Sequence, residues 1–507
     1  MKYLIIGLMM LCSLMQTGYA QSRAKILLIP LDDRPPCLQF PETAGRIAGY
    51  DLVSPPREWL GRYTRAGDPD KIIEWMEKQD LSGYDALIIS ADMLAYGGLV
   101  ASREHRVSGK VAARRLSVLH RLRNRYPDVP VYLNSVIMRL APTATAENEA
   151  YRRQLQAWAE QPDPDKKPDG RVPSKVIGDY VKSRKRNNRI NRKALELVED
   201  GVVDYLILSQ DDAHPSGMHI REREALKQRV HDKRLEQKVH IQPGADEIGM
   251  VLLARYLSGK SEQPVRVDVL YSSAEDSKTV MPFEDKPLDG VVEDYIATCG
   301  GQKAATSGTE DLLLMVYTSR GKEAETRIFT ETLKARVRKG YKVILADIDP
   351  KGNVQGGSRI LGEYLVHENI LDKLYAYASW NTSGNTLGTA IAQGYIYRYA
   401  ETTGNTVAQG NEAQRWFLWH RWSNDFLYNN IIRKQLLPKL DTSLHWSSVM
   451  TAPKVRALET EGVKHMHDYI EKLQRETGTY IPITKLQLLL PWNRLFEAHV
   501  DYTLQPE

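Results

Sequence analysis

The chain has 507 residues, 42% of them hydrophobic and 26% charged, with a formal net charge of +5 at pH 7. That length supports two or three domains with large buried cores, and the ordinary composition excludes a disordered, collagen-like or disulfide-framework protein. The charge bias is too slight to argue for nucleic acid as a partner.

Residues 1–20 begin with Lys2, continue through an apolar run from Tyr3 to Met15, and end in Gly18-Tyr19-Ala20. This pattern predicts a cleaved signal peptide and a periplasmic or secreted protein. No later stretch reaches the roughly 18 apolar residues of a membrane span. Cleavage leaves Cys37 and Cys299. An oxidising compartment permits a bond between them, and buried free thiols fit equally well.

Short apolar runs follow in order. They lie at 26–31, 51–54, 86–90, 130–136, 204–209, 238–242, 266–272, 312–317, 342–347 and 374–379. Most do not alternate, which is how strands covered on both faces read. Helical patterns fill the gaps, including Pro41 to Ala48, Arg114 to Arg125, Gly249 to Leu257 and Thr326 to Arg338. Alternating strands and helices predict an α/β fold with mostly parallel strands. Two doubly wound, Rossmann-like lobes at 21–262 and 263–400 are favoured, divided at the linker-like 258–264. A (β/α)8-like barrel is the alternative. Residues 161–170 read as a surface loop. The basic run 184–193 reads as a solvated helix face. Residues 401–507 read as a mostly helical region with a closing strand over 485–504, and its aromatic segment around Trp416 to Phe426 as core.

Polar clusters recur where strands end, the edge at which open α/β sheets and barrels bind ligands. They comprise Asp32-Asp33-Arg34, then Asp92, Tyr96 and Arg103, then Arg139, then Asp211-Asp212 with His214, and then Asp246-Glu247. Trp380, Asn381 and Asn385 follow later. The pair Gly97-Gly98 permits close backbone approach to a ligand. Adjacent carboxylates can divide acid and base roles. Asp211 and Asp212 are therefore the candidate catalytic pair, with Asp212 as general acid/base. The other residues named are candidates for binding substrate, and Trp380, Asn381 and Asn385 suit a sugar face and its hydroxyls.

The motifs PLDDRP (Pro30 to Pro35), DMLAYGGLVASR (Asp92 to Arg103), SQDDA (Ser209 to Ala213), PGADE (Pro243 to Glu247), WNTSGNTLG (Trp380 to Gly388) and PWNRLFE (Pro491 to Glu497) span nearly the whole chain. Through them the sequence resembles an uncharacterised bacterial family, a domain of unknown function. The Asp-Asp and Trp-Asn pieces are also similar in layout to O-GlcNAcase-type N-acetylhexosaminidases. With the paired carboxylates and the signal peptide, the leading expectation is an exported glycoside hydrolase, with an N-acetyl amino sugar as the candidate substrate and no cofactor other than an optional divalent cation. The alternatives are a metal-dependent hydrolase, in which the Asp clusters hold a divalent cation, and a non-enzymatic periplasmic carbohydrate-binding protein. The expected partner is a small molecule or oligosaccharide, not nucleic acid.

Overall fold

The computed structural model describes residues 24–143, 148–161, 170–305, 308, 311–352, 356–403, 408–441, 445 and 447–505. The predicted signal peptide and nearly all of the predicted loop 161–170 lie outside the described residues. Among the described residues no helix is long and apolar enough to cross a membrane.

The fold is α/β with two open parallel sheets, not a barrel. The first sheet contains β1 (Ala24–Ile29), β2 (Tyr50–Val53), β3 (Tyr84–Ser90), β4 (Val131–Ile137), β5 (Tyr205–Gln210) and β6 (Val239–Pro243), ordered β2-β1-β3-β4-β5-β6. The second contains β7 (Arg266–Tyr271), β8 (Gln302–Lys303), β9 (Leu312–Tyr317), β10 (Val343–Asp347) and β11 (Ala376–Ala378), ordered β11-β10-β9-β7-β8. All pairings in both are parallel. Read from β8, the second sheet repeats the winding of the first, with the strand order reversing beside its first strand. Every residue of β5, β9 and β10 is buried, which explains their unbroken apolar runs. The two-residue β8 is too short to leave a sequence signal.

The helices that bear on the site are α1 (Gln39–Ile47), α2 (Ala91–Tyr96), α3 (Ser174–Glu199), α4 (Ile248–Ser258), α5 (Leu288–Thr298), α6 (Ser383–Thr402), α7 (Ala408–Arg421), a π-helical turn α8 (Trp422–Ile432) and α9 (Ala452–Thr477). One buried cluster runs from Ile26 and Leu28 of β1, through Leu253 of α4 and Leu387 and Ile391 of α6, to Leu314 and Ile344 of the second sheet. The sheets thus share a helical layer. α6 is buried along almost its whole length because it is wedged there. Gly394 lets it approach β10, since a Cβ at that position would sit 2.3 Å from Ile344 Cδ1.

Two expectations change. The C-terminal strand is a hairpin, β12 (Ile483–Leu489) against β13 (His499–Leu504), antiparallel and paired with itself rather than closing either sheet. The basic run on α3 is not simply a solvated face, because Arg184 and Arg186 are buried. Arg184 pairs with Glu222 at 2.5 Å, and Arg186 donates to the carbonyls of Ser102, Glu104 and Val107. Their long side chains turn inward to satisfy backbone acceptors that would otherwise be buried unpaired. Cys37 and Cys299 are both free and buried.

Leu253→Ala is expected to cost about 2–5 kcal/mol, the range for a buried Leu whose neighbours cannot collapse onto the void. The check is the urea midpoint followed by fluorescence and circular dichroism. A shift near zero would contradict the shared core.

Candidate functional site

The carboxyl ends of both sheets face one cavity of about 600 Å³. The loops after β1, β3, β4, β5 and β6 supply Arg34, Arg103, Arg139, Asp211-Asp212 and Asp246 to its wall. The second half of the chain supplies Phe283, Glu284, Asn381 and Asn385, and the β12–β13 hairpin supplies Trp492, Arg494 and Phe496. This volume is in the range of small-molecule sites.

The floor is a buried ion triad. Arg34 donates to Asp246 through both terminal nitrogens, at 2.9 and 2.6 Å, and to Asp32 at 2.7 Å. Its guanidinium lies 4.4 Å over the Trp492 ring, whose Nε1 donates to Asp33 at 2.7 Å. One cation between two carboxylates leaves a negative charge in excess. Burial pushes the Asp246 carboxyl up to about 7, against the pull of Arg34 and with the help of Asp32. Burial also raises Asp33.

Among the described residues, Asp32, Cys37 and Asp246 are grouped closely enough to ligate a metal. Arg34 already occupies the carboxylate oxygens, so a cation would have to displace a buried guanidinium. Burial, with the charges of Asp32 and Asp246, holds the Cys37 thiol well above its usual range, which disfavours the thiolate a metal needs. The donor set fits an ion triad better than a metal centre.

The Asp-Asp pair sits at the end of β5 as expected, but each member has its own cation. Arg103 holds Asp211 at 2.6 Å, and Arg139 holds Asp212 at 2.7 Å. Asp211 is nearly covered. Asp212 is about a third exposed and adopts a positive φ of 36°.

Glu284 was missed by sequence reasoning, because it lies in a loop between prolines, away from any strand end. Its Oε1 accepts from Ser383 Oγ at 2.7 Å and from the Gly384 backbone N–H at 2.8 Å, while Oε2 is buried without a partner among the described residues. Burial pushes its carboxyl up to about 8, so the proton is retained at neutral pH.

The motifs explain the local folding. In PGADE, Gly244 takes φ +111°, and a Cβ there would lie 1.8 Å from Glu247 Oε1, so only glycine leaves room for that carboxylate. In WNTSGNTLG, Thr382 and Asn385 form a capping box at the start of α6. In DMLAYGG, Ser90 caps α2 through the Met93 N–H, and Gly97 ends it in a left-handed conformation. The glycine pair serves backbone packing rather than a ligand. Gly67 N–H donates to Gly97 O at 2.9 Å, and a Cβ at Gly61 would meet that same oxygen at 2.3 Å.

Of the residues proposed from sequence, Arg34, Arg103, Arg139, Asp211, Asp212, Asp246, Asn381 and Asn385 converge on the cavity. Seven do not line it. Asp32 lies behind Arg34. Asp33 lines a separate hollow with Arg57, Arg62 and Arg65. Asp92 is buried, accepts from the Val136 N–H, and is pushed up to about 7 by burial. Tyr96 stacks under Arg186 at 4.2 Å. His214 is tied to Ser216. Glu247 supports Asn385 from behind. Trp380 turns into the core against Phe40 and donates to Thr389. Strand-end position alone does not say whether a side chain points into the crevice or the core.

Backbone strain marks the same place. Among the described non-glycine residues, eight have positive φ, and four of these, Tyr63, Asp212, Phe283 and Asn381, line the cavity. Such conformations persist where the surroundings over-determine them, and they cluster at functional sites. Tyr63 and Phe283, at φ 49° and 67°, are the most unusual of the four, since a bulky aromatic side chain gains nothing locally from that region.

Two doubly wound parallel sheets with a polar cavity at their carboxyl edges define an α/β protein of Rossmann-like architecture. The chain belongs to the family described as Protein of unknown function (DUF4127), whose model matches residues 26–501. A search of curated proteins returned no match.

Because the folded pKa of Glu284 lies above its unfolded value, its neutral form contributes stability that is complete below about pH 4.5 and is lost as pH rises through about 8. Glu284→Gln is therefore expected to gain stability relative to the parent as pH rises from 5 to 9. Melting curves across that range check it, and parallel pH profiles would contradict it.

Proposed function

We propose that the cavity is the active site of an exported hydrolase acting on a glycosidic bond, with Glu284 as general acid. The observation that carries this reading is the contrast between two carboxyl environments in one cavity. Glu284 is buried, retains its proton at neutral pH and has an unpartnered oxygen. Asp212 is paired with a guanidinium and partly exposed. Environments that set two carboxyl groups apart are how one site supplies both an acid and an ionised carboxylate.

In this reading the roles expected from sequence are redistributed. Asp212, paired with Arg139, is the second carboxyl group of the pair, and Asp211 with Arg103 braces the loop beneath it. Glu284 delivers its proton to the leaving oxygen as the anomeric C–O bond breaks, and water supplies the oxygen that takes its place and the proton that recharges Glu284. Tyr63, Phe283, Trp492 and Phe496 give the cavity aromatic surface for the apolar face of a sugar ring, while the arginines and carboxyls suit its hydroxyls. Export rests on the pattern of residues 1–20.

Glu284→Gln is expected to lower kcat by about 10²–10⁴-fold on alkyl glycosides, the usual contribution of a positioned general acid. The loss should be smaller on dinitrophenyl glycosides, whose leaving group departs without a proton. The parent's rate should fall as pH rises through about 8. Full activity of the variant on a confirmed substrate would remove the assignment.

A further inference from the structure

A second hollow, of about 380 Å³, shares a wall with the cavity described above. That wall is made by two short segments that divide their side chains between the two spaces. In the turn Arg62-Tyr63-Thr64-Arg65, Tyr63 lines the cavity and packs on the Trp492 ring at 5.4 Å, while Arg62 and Arg65 line the hollow beside Arg57. In the β12–β13 turn, Trp492 and Arg494 line the cavity and Asn493 lines the hollow.

Arg62 and Arg65 exchange both backbone hydrogen bonds, at 2.9 and 3.0 Å. Residues paired in this way stand directly opposite, about 5.5 Å apart at Cα, with their side chains on one face. Like charges so placed repel and weaken the pairing. The acceptors that the two side chains reach are neutral. Arg62 Nη2 donates to Asn493 Oδ1 at 3.4 Å, and Arg65 Nη1 donates to the Glu58 carbonyl at 3.3 Å. Three carboxyl groups share the hollow, and two are committed elsewhere. Asp33 accepts from Trp492 Nε1 at 2.7 Å and lies 3.6 Å from Arg57 Nε, and Glu459 accepts from the Leu490 N–H at 2.8 Å. The third, Glu58, meets the turn through its backbone carbonyl. Among the described residues, neither Arg62 nor Arg65 has a carboxylate within ion-pair distance. On the hairpin side of the same hollow stands Leu489, 48% exposed although apolar.

We propose that this hollow binds a tetrahedral oxyanion, a phosphate or sulfate group, carried on a small organic molecule. Arg62 and Arg65 hold the anion between them, and Leu489 seats the apolar part. The planar guanidinium fork matches the oxygens of such a group, and an anion bridging two opposed arginines turns their repulsion into attraction. The site is separate from the cavity and does not depend on the hydrolase reading.

The test is calorimetric titration of the full chain with phenyl phosphate and with inorganic phosphate, at an ionic strength held constant with chloride. Phenyl phosphate is expected to bind about fivefold more tightly, the scale of burying roughly 40 Å² of apolar surface. Arg62→Gln and Arg65→Gln should each weaken both probes about three- to tenfold, as exposed charge-assisted contacts do. Leu489→Ser should remove the advantage of the phenyl group and leave inorganic phosphate unchanged. Arg121→Gln, which alters an arginine paired with Glu77 outside the hollow, should change neither. Melting curves separate binding from structure. In chloride Arg65→Gln should melt no lower than the parent, because it relieves a repulsion, and phosphate should raise the parent's Tm by more than the variant's. An equal rise in both is the general exclusion effect of phosphate. That result, no binding of either probe by the parent, or unchanged affinity in Arg62→Gln and Arg65→Gln would each overturn the proposal. Equal affinity of the parent for the two probes would overturn the organic part of it.

Discussion

The guanidinium of Arg34 is the contact on which the rest of the site depends. It joins the end of β1 to the loop after β6, across the first sheet, and carries the indole of Trp492 on its face. Three distant segments therefore meet on one buried cation. Removing one partner of such a group strands the others in low dielectric, at a cost of about 3–5 kcal/mol. The stacking of Trp492 on that guanidinium and its hydrogen bond to Asp33 hold the β12–β13 hairpin over the cavity. The same cation also explains why PLDDRP, PGADE and PWNRLFE belong together although they lie far apart in the chain.

The opposite wall is built on a different principle. Around the start of α6, neutral amides and hydroxyls are ordered by backbone donors, and the carboxyl groups of Glu247 and Glu284 sit within that frame. Burial pushes both carboxyls upward. The cavity thus has a wall of arginine–aspartate pairs and a wall whose buried carboxyl groups are pushed toward the neutral form. The shared helical layer keeps them in register, because α4 and α6 pack against both sheets through one core.

Much of the fold was legible because parallel buried strands write themselves as short unbroken apolar runs. Ten such runs correspond to strands, and only β8, two residues long, left no trace. The paired C-terminal strands were read as one because the intervening PWNR turn lacks an obvious glycine signal. Arg34, Arg103, Arg139, Asp211, Asp212, Asp246, Asn381 and Asn385 were legible by position at strand ends. Glu284 was not, since nothing in its loop distinguishes it from an exposed acid between prolines. Asp92, Tyr96 and Trp380 were misplaced because a residue just past a strand can face crevice or core with equal ease.

By itself the sequence determined the α/β class, the parallel strands and the edge at which polar groups gather, because these follow from local patterning and the rise of the chain. Only the tertiary structure decided that two sheets share one core, that each aspartate of the β5 pair has its own arginine, and that burial pushes the Glu284 carboxyl up to about 8. Those outcomes depend on which charges end up beside one another and how much water is excluded, and neither is encoded in the order of residues along a single segment.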